Sequence, residues 1–290
     1  MKNYFLILTA FMAISLTAVA QETKVSSVQI NNLSQPCVVA TYLISADMVE
    51  GAFKKKFSDM KLGSGAKTSD GYRMYKGVVM PEITNDKIDV YFKVEDRKPS
   101  SAVYLLTSKG YDNFMKMSTD SVTVTKTIAF LENFVKDATA YRLNVEIGKQ
   151  NSTLLDTEKR TKNSVKDGEA LAKKKKKLEI KISENLIEAG AKKNEMENEQ
   201  RALEQVKIKT ATIEGVSDLK KEVNKQESVT KRAIKNYESA VKDGAEYNED
   251  LVKTDKNIEI NKNEQAALKI LMDADKLKLQ ELKTQLSTLK

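Results

Sequence analysis

The residues best placed by type and spacing to do chemistry begin with LAKKKKKLEI at 171–180, where Lys173, Lys174, Lys175, Lys176 and Lys177 follow one another without a break. Such a run could grip a polyanion: nucleic acid, lipid headgroups or an acidic wall polymer. On a helix, five residues at 100° each sweep about 400°, so the lysines encircle the axis within barely one turn and form no one-sided patch. The first reading is therefore the solvated or interhelical side of a long helix. Contact with an acidic component of the cell envelope is the second.

Other chemistry is limited by what is missing. With no histidine in the chain, there is no Ser-His or Cys-His nucleophile, no imidazole metal ligand and no general base that titrates near neutrality unaided. The acid pairs Asp86/Asp89 and Glu95/Asp96 fall at expected hairpin ends, where turn formation accounts for them. GSG at 63–65 precedes a strand candidate and not a helix, so it offers no helix N-terminus to a phosphate. We expect no enzyme activity, no catalytic residues, no cofactor and no metal site. The single cysteine, Cys37, reads as a small buried residue at the start of an apolar strand, with an intermolecular disulfide thiol as the alternative.

The leader MKNYFLILTAFMAISLTAVA combines an early lysine, a short apolar run and Ala18-Val19-Ala20 before Gln21. This is the pattern of a secretory signal peptide spanning residues 1–20, with an apolar run too short to span a bilayer at about 20 residues. No cysteine follows the run directly, so a lipoprotein anchor is not expected. The address implied is export, to the periplasm, with no transmembrane segment after cleavage. Beyond the leader the basic excess is modest: residues 21–140 carry 16 basic and 14 acidic groups, and residues 141–290 carry 32 and 27. Neither part is a polybasic domain, and an exported chain meets little nucleic acid, so none is expected as a partner.

Composition divides the chain near Tyr141. All eight phenylalanines and all three prolines precede it, and the only aromatic residues beyond it are Tyr237 and Tyr247. A compact core needs large apolar groups; a long helix needs a proline-free run of Lys, Glu, Ala, Leu and Ile. The expected division is an N-terminal linker at 21–36, a globular head at 37–140 and a helical coiled-coil tail at 141–290.

In the head, CVVATYLI at 37–44 has strand length, and Ser45 can cap a helix from Ala46 with Val49, Phe53, Phe57 and Met60 as its buried stripe. Lys54, Lys55 and Lys56 then fall mostly on the outer face. Three strands follow at 72–80, 87–94 and 101–108, and a second helix starts near Thr119 or Asp120, presenting Ile128, Leu131 and Phe134 or Val135. The order β-α-β-β-β-α gives an α+β fold, an antiparallel meander with helices on one face. Its later part is the α-β-β-β-α order of double-stranded RNA-binding domains, but those modules need a basic cluster at the start of the second helix, where STDSVTVTKTIAF holds one lysine and one aspartate.

YRMYKGVVMPEI, DVYFKVED and SAVYLLTSKGYDNF, followed by a lysine- and glutamate-rich helical tail, resemble a group of exported, uncharacterised proteins of Bacteroidota-type bacteria. The resemblance covers most of the mature chain. It implies a cell-envelope address and brings no catalytic residue.

In the tail, Leu268, Met272, Asp275, Leu279, Leu282, Leu286 and Leu289 alternate steps of four and three. Val216, Leu219 and Val223 suggest a second seam, and Ile234, Tyr237, Val241, Leu251 and Ile258 a third, with breaks in phase between them. So little apolar surface requires a packing partner. The chain can reverse at 212–217, with Gly215 closing one helix and Ser217 capping the next, or around Gly190. In the first case, facing residues sum to about 429, which sets the lysine run beside roughly residues 252–256, in a neighbourhood holding Glu246, Glu249, Asp250, Asp255 and Glu259. The expected role is a spacer, adaptor or assembly element of the envelope, acting on another envelope protein or by self-association. A module binding a polyanionic envelope component is the alternative.

Overall fold

The computed structural model describes residues 22–110, 113–212 and 217–289. The expected signal peptide and the expected turn residue Gly215 lie outside the described residues. The fold is α+β, a six-stranded antiparallel sheet with helices, followed by two long helices packed on each other. It divides into two compact units, one of residues 22–152 with 277–289 and one spanning Thr153–Lys276.

In the first unit the strands are β1 (Glu22–Ile30), β2 (Leu33–Tyr42), β3 (Ala66–Lys67), β4 (Arg73–Met80), β5 (Thr84–Arg97) and β6 (Ser100–Ser108), in the sheet order β1-β2-β6-β5-β4-β3. β4, β5 and β6 form the expected meander. The expected linker at 21–36 is instead a strand pair. Asn31 and Asn32, at φ 50° and 62°, make the two-residue turn that joins β1 to β2, a conformation that Asn tolerates and that matches the twist of a hairpin. β2 then pairs with β6, so the first strand expected from sequence lies beside the last. At the hairpin tip the Asn31 N–H donates to Asp70 Oδ2, in the loop between β3 and β4, at 3.2 Å.

Helix α1 (Ala46–Asp59) starts at Ser45, whose carbonyl oxygen accepts from Met48 and Val49 while its side chain makes no cap hydrogen bond. Val49, Phe53 and Phe57 are buried, as the spacing requires. Phe53 stacks on Phe134 of α2 (Met117–Thr212) and on Phe92 of β5, with centroids 3.8 and 4.8 Å apart. The main core thus fills the space between one face of the sheet and both helices. Lys56 departs from the outer-face expectation: it ion-pairs with Asp137 at 2.9 Å and Glu82 at 3.1 Å and lies over the Phe130 ring. A smaller cluster, including Ile30, Cys37, Tyr91 and Phe114, occupies the sheet's other face.

The composition change at Tyr141 is not a break in the chain. α2 runs through it without interruption, so the head's last helix and the tail's first helix are one. Asp120 (φ −129°, ψ 36°) marks where the long helix proper departs; its carboxylate accepts from the Lys116 N–H and Thr119 Oγ1 and pairs with Lys109. α3 (Ser217–Thr288) follows. No described helix is long and apolar enough to cross a membrane.

Candidate interaction site

The hairpin of the second unit is built on one uninterrupted seam. From Thr157 to Thr210 in α2 and from Val223 to Asp275 in α3, every residue at alternating steps of three and four is buried or half-buried. Of the seams expected from sequence, Leu219 and Val223, then Tyr237, Leu251 and Ile258, then Leu268 to Leu289 share one phase, whereas Ile234 yields the inward place to Ala233 and Val216 lies outside the described residues. Val241, assigned to a seam from sequence, is 48 % exposed; Ala240 takes the inward place. Many inward positions are held by small and polar side chains: Thr157, Ser164, Asn185, Thr230, Ala233, Thr254 and Asn261 are all buried, alongside Leu178 and Leu268.

The pairing register is consistent along the arm. Thr157 faces Asp275, Ser164 faces Gln265, Lys175 faces Asp255, Asn185 faces Ala240 and Glu199 faces Thr230; each pair sums to within about five of 429. The reversal therefore falls between Thr212 and Ser217, and Gly190, the alternative, is ordinary helix.

Two of these contacts are the same device used twice. Asn261 Nδ2 donates to the Ser164 carbonyl oxygen at 2.9 Å, and Asn185 Nδ2 donates to the Ala240 carbonyl oxygen at 3.0 Å. In each case the amide lies against a glycine four residues beyond that carbonyl. A methyl group on Gly168 would sit 2.6 Å from Asn261 Oδ1, and one on Gly244 would press on Asn185 Oδ1 in the same way. Glycine is required here because the crossing amide occupies the place of a Cβ. The equivalence extends to sequence: Ser164-Val-Lys-Asp-Gly168 recurs as Ala240-Val-Lys-Asp-Gly244, and the Gly-to-Asn interval is 17 residues in both helices, 168 to 185 and 244 to 261. Apolar counting misses these residues, although the repeated VKDG is visible once sought.

The lysine run lies midway between the two locks. Lys175 is half-buried in the seam and pairs with Asp255 Oδ1 at 2.8 Å and Glu179 at 3.9 Å. Its hydrogen bond to Asp255 raises its pKa above the ordinary lysine value. Lys173, Lys174, Lys176 and Lys177 are exposed around the rest of the turn.

The remaining sequence candidates are placed elsewhere. Cys37 is 3 % exposed and faces Ser26 across the β1–β2 pair. Burial pushes its thiol up to about 11, against a lowering backbone hydrogen bond from Ser26. Asp89 Oδ1 accepts from the Gly77 N–H at 2.7 Å, holding the irregularity where β4 shifts register against β5. Glu95 is opposed by burial, yet hydrogen bonds from Lys93 and Tyr104 outweigh it and hold its carboxyl below the usual range. All four residues of the two acid pairs lie within β5, not in turns at its ends. The Ser64 carbonyl oxygen in GSG accepts from Arg73 Nη1 at 2.7 Å. Among the described residues no group of three or more His, Cys, Asp or Glu side chains is placed to hold a metal ion. A groove of about 680 Å³ lies between α1 and α2, lined in part by Ala52, Lys56, Met60, Asp137 and Tyr141. Comparison of the chain with family models, curated proteins and solved structures finds no match.

Proposed function

We propose that this protein is an exported, non-enzymatic element of the cell envelope, a spacer, adaptor or assembly component that works through its helical hairpin. The observation that carries this reading is the seam. Each arm of the second unit pairs over roughly 60 residues of α2, Thr153 to Thr212, or about 90 Å at 1.5 Å per residue. Its register is held by buried amides and hydroxyls. Polar seam residues of this kind sacrifice stability for one defined alignment, which suits a part whose task is to hold a fixed span. The leader supports export, and the resemblance to exported Bacteroidota-type proteins supports the envelope as the destination.

A second reading rests on the four exposed lysines at 173, 174, 176 and 177, which could hold a polyanionic envelope component. Crosslinking in intact cells from cysteines on the outer hairpin surface tests both. A protein partner retained at high salt supports the spacer or adaptor reading. Capture of wall or outer-membrane polymer that is lost as salt rises supports the second. Recovery of the chain in the cytoplasm with residues 1–20 attached overturns both.

A further inference from the structure

The two locks have a consequence beyond the hairpin. Because Gly168 and Asn185 stand as far apart in α2 as Gly244 and Asn261 do in α3, α2 alone carries both halves of a lock in self-complementary spacing. Two α2 helices from different chains, laid antiparallel, could set each Gly168 against the other chain's Asn185 and reproduce both locks. In that register residues summing to 353 face each other, so Lys176 meets the other copy's Lys177. The ten ammonium groups of two Lys173–Lys177 runs would then crowd into about 12 Å of helix length. In the hairpin the same place is faced by residues 252–256 of α3, where Asp255 receives Lys175.

We propose that Lys173–Lys177 is a pairing-specificity element whose excluded partner is the α2 helix of a second copy of this chain. Like charges at the centre of the α2–α2 alignment close a pairing that the locks would otherwise permit, while Asp255 rewards the α2–α3 alignment. Only four residues separate α2 from α3, which gives the chain's own α3 a high effective concentration once it is formed. The run acts before that, while α2 of the folding chain is unpaired.

The test uses the full chain, refolded from urea over a series of protein concentrations, with the dimer fraction read by size exclusion and light scattering. Changing all five lysines to Gln should raise the dimer fraction at least fivefold at the highest concentration, whereas changing all five to Arg should leave it at the native level. Adding Asn185→Ala to the Gln variant should return it to the native level. That change removes both locks of an α2–α2 pair but leaves the hairpin its Asn261 lock. The unmodified protein refolded in 1 M salt, where the screening length is about 3 Å, should form the same Asn185-dependent dimers. A Gln variant as monomeric as the native chain, dimers indifferent to Asn185, or no salt-induced dimer would each overturn the proposal.

Discussion

Thr254 and Gly51 show how single positions are set by what lies across from them. Thr254 is 1 % exposed in the seam and its Oγ1 has no hydrogen-bond partner among the described residues. Thr254→Val keeps the shape and removes the unpaired hydroxyl, so the melting temperature should rise, with a gain of about 1 kcal/mol. Gly51 sits inside α1 because Tyr141 lies against it; a methyl there would be 2.5 Å from Tyr141 Cε1. Gly51→Ala should therefore destabilise by about 1–3 kcal/mol, although alanine is by itself the better helix former. Combining it with Tyr141→Ala should bring no further loss from that clash, which a double-mutant cycle in urea would read. Asp120 carries a pH prediction. Hydrogen bonds from Lys109, Thr119 and the Lys116 N–H hold its pKa at about 2. A carboxylate depressed in the folded state contributes stability that is fully present above its unfolded value near 4 and is lost as pH falls toward 2. The melting temperature should fall over that window, and Asp120→Asn should flatten this part of the profile.

At the scale of elements, the hairpin is a test of register. Leu171 and Ile258 are both half-buried seam positions whose numbers sum to 429. With Cys37 changed to serine, cysteines at 171 and 258 should crosslink within one chain at high dilution. Cysteines at 171 and 251, one heptad out of register, should not. Crosslinking of the second pair at a comparable yield would show that the amide locks do not hold the alignment. The strands make a different point. β1 has only Val28 and Ile30 turned toward the smaller cluster, and its outer edge carries Glu22 and Lys24, which pair with each other at 2.9 Å. Charge on an edge strand discourages further strands from adding to it.

For the whole molecule, the division between units does not follow the change in composition. The first unit takes in helix up to residue 152 and recruits residues 277–289 from the far end of the chain. Leu279 and Leu282 in that segment are 9 % and 3 % exposed. A chain truncated after Lys276 should lose the burial of both leucines, about 3–6 kcal/mol in all, and urea unfolding followed by the tyrosine signal of the first unit should shift to lower concentration. An unchanged midpoint would show that residues 22–152 complete their core alone.

The sequence by itself determined the elements whose signal is local. Val49, Phe53 and Phe57 announce α1 by their spacing, the strands expected at 72–80, 87–94 and 101–108 are apolar runs between turn residues, although β5 extends three residues further at each end, and the long proline-free stretch reads as helix. A reversal at 212–217 was legible too, because Gly215 can close one helix and Ser217 can cap the next. Tertiary structure decided the rest. β1 is polar on one face, so nothing but the Asn31-Asn32 turn and its pairing with β2 marks it as a strand. The seam is hidden for the same reason: Ser164, Gly168, Asn185, Gly244 and Asn261 carry no hydrophobic signal of their own. Their role depends on a carbonyl oxygen or an absent Cβ on the opposite helix, some 60 to 100 residues away in the chain, and only folding brings the two together.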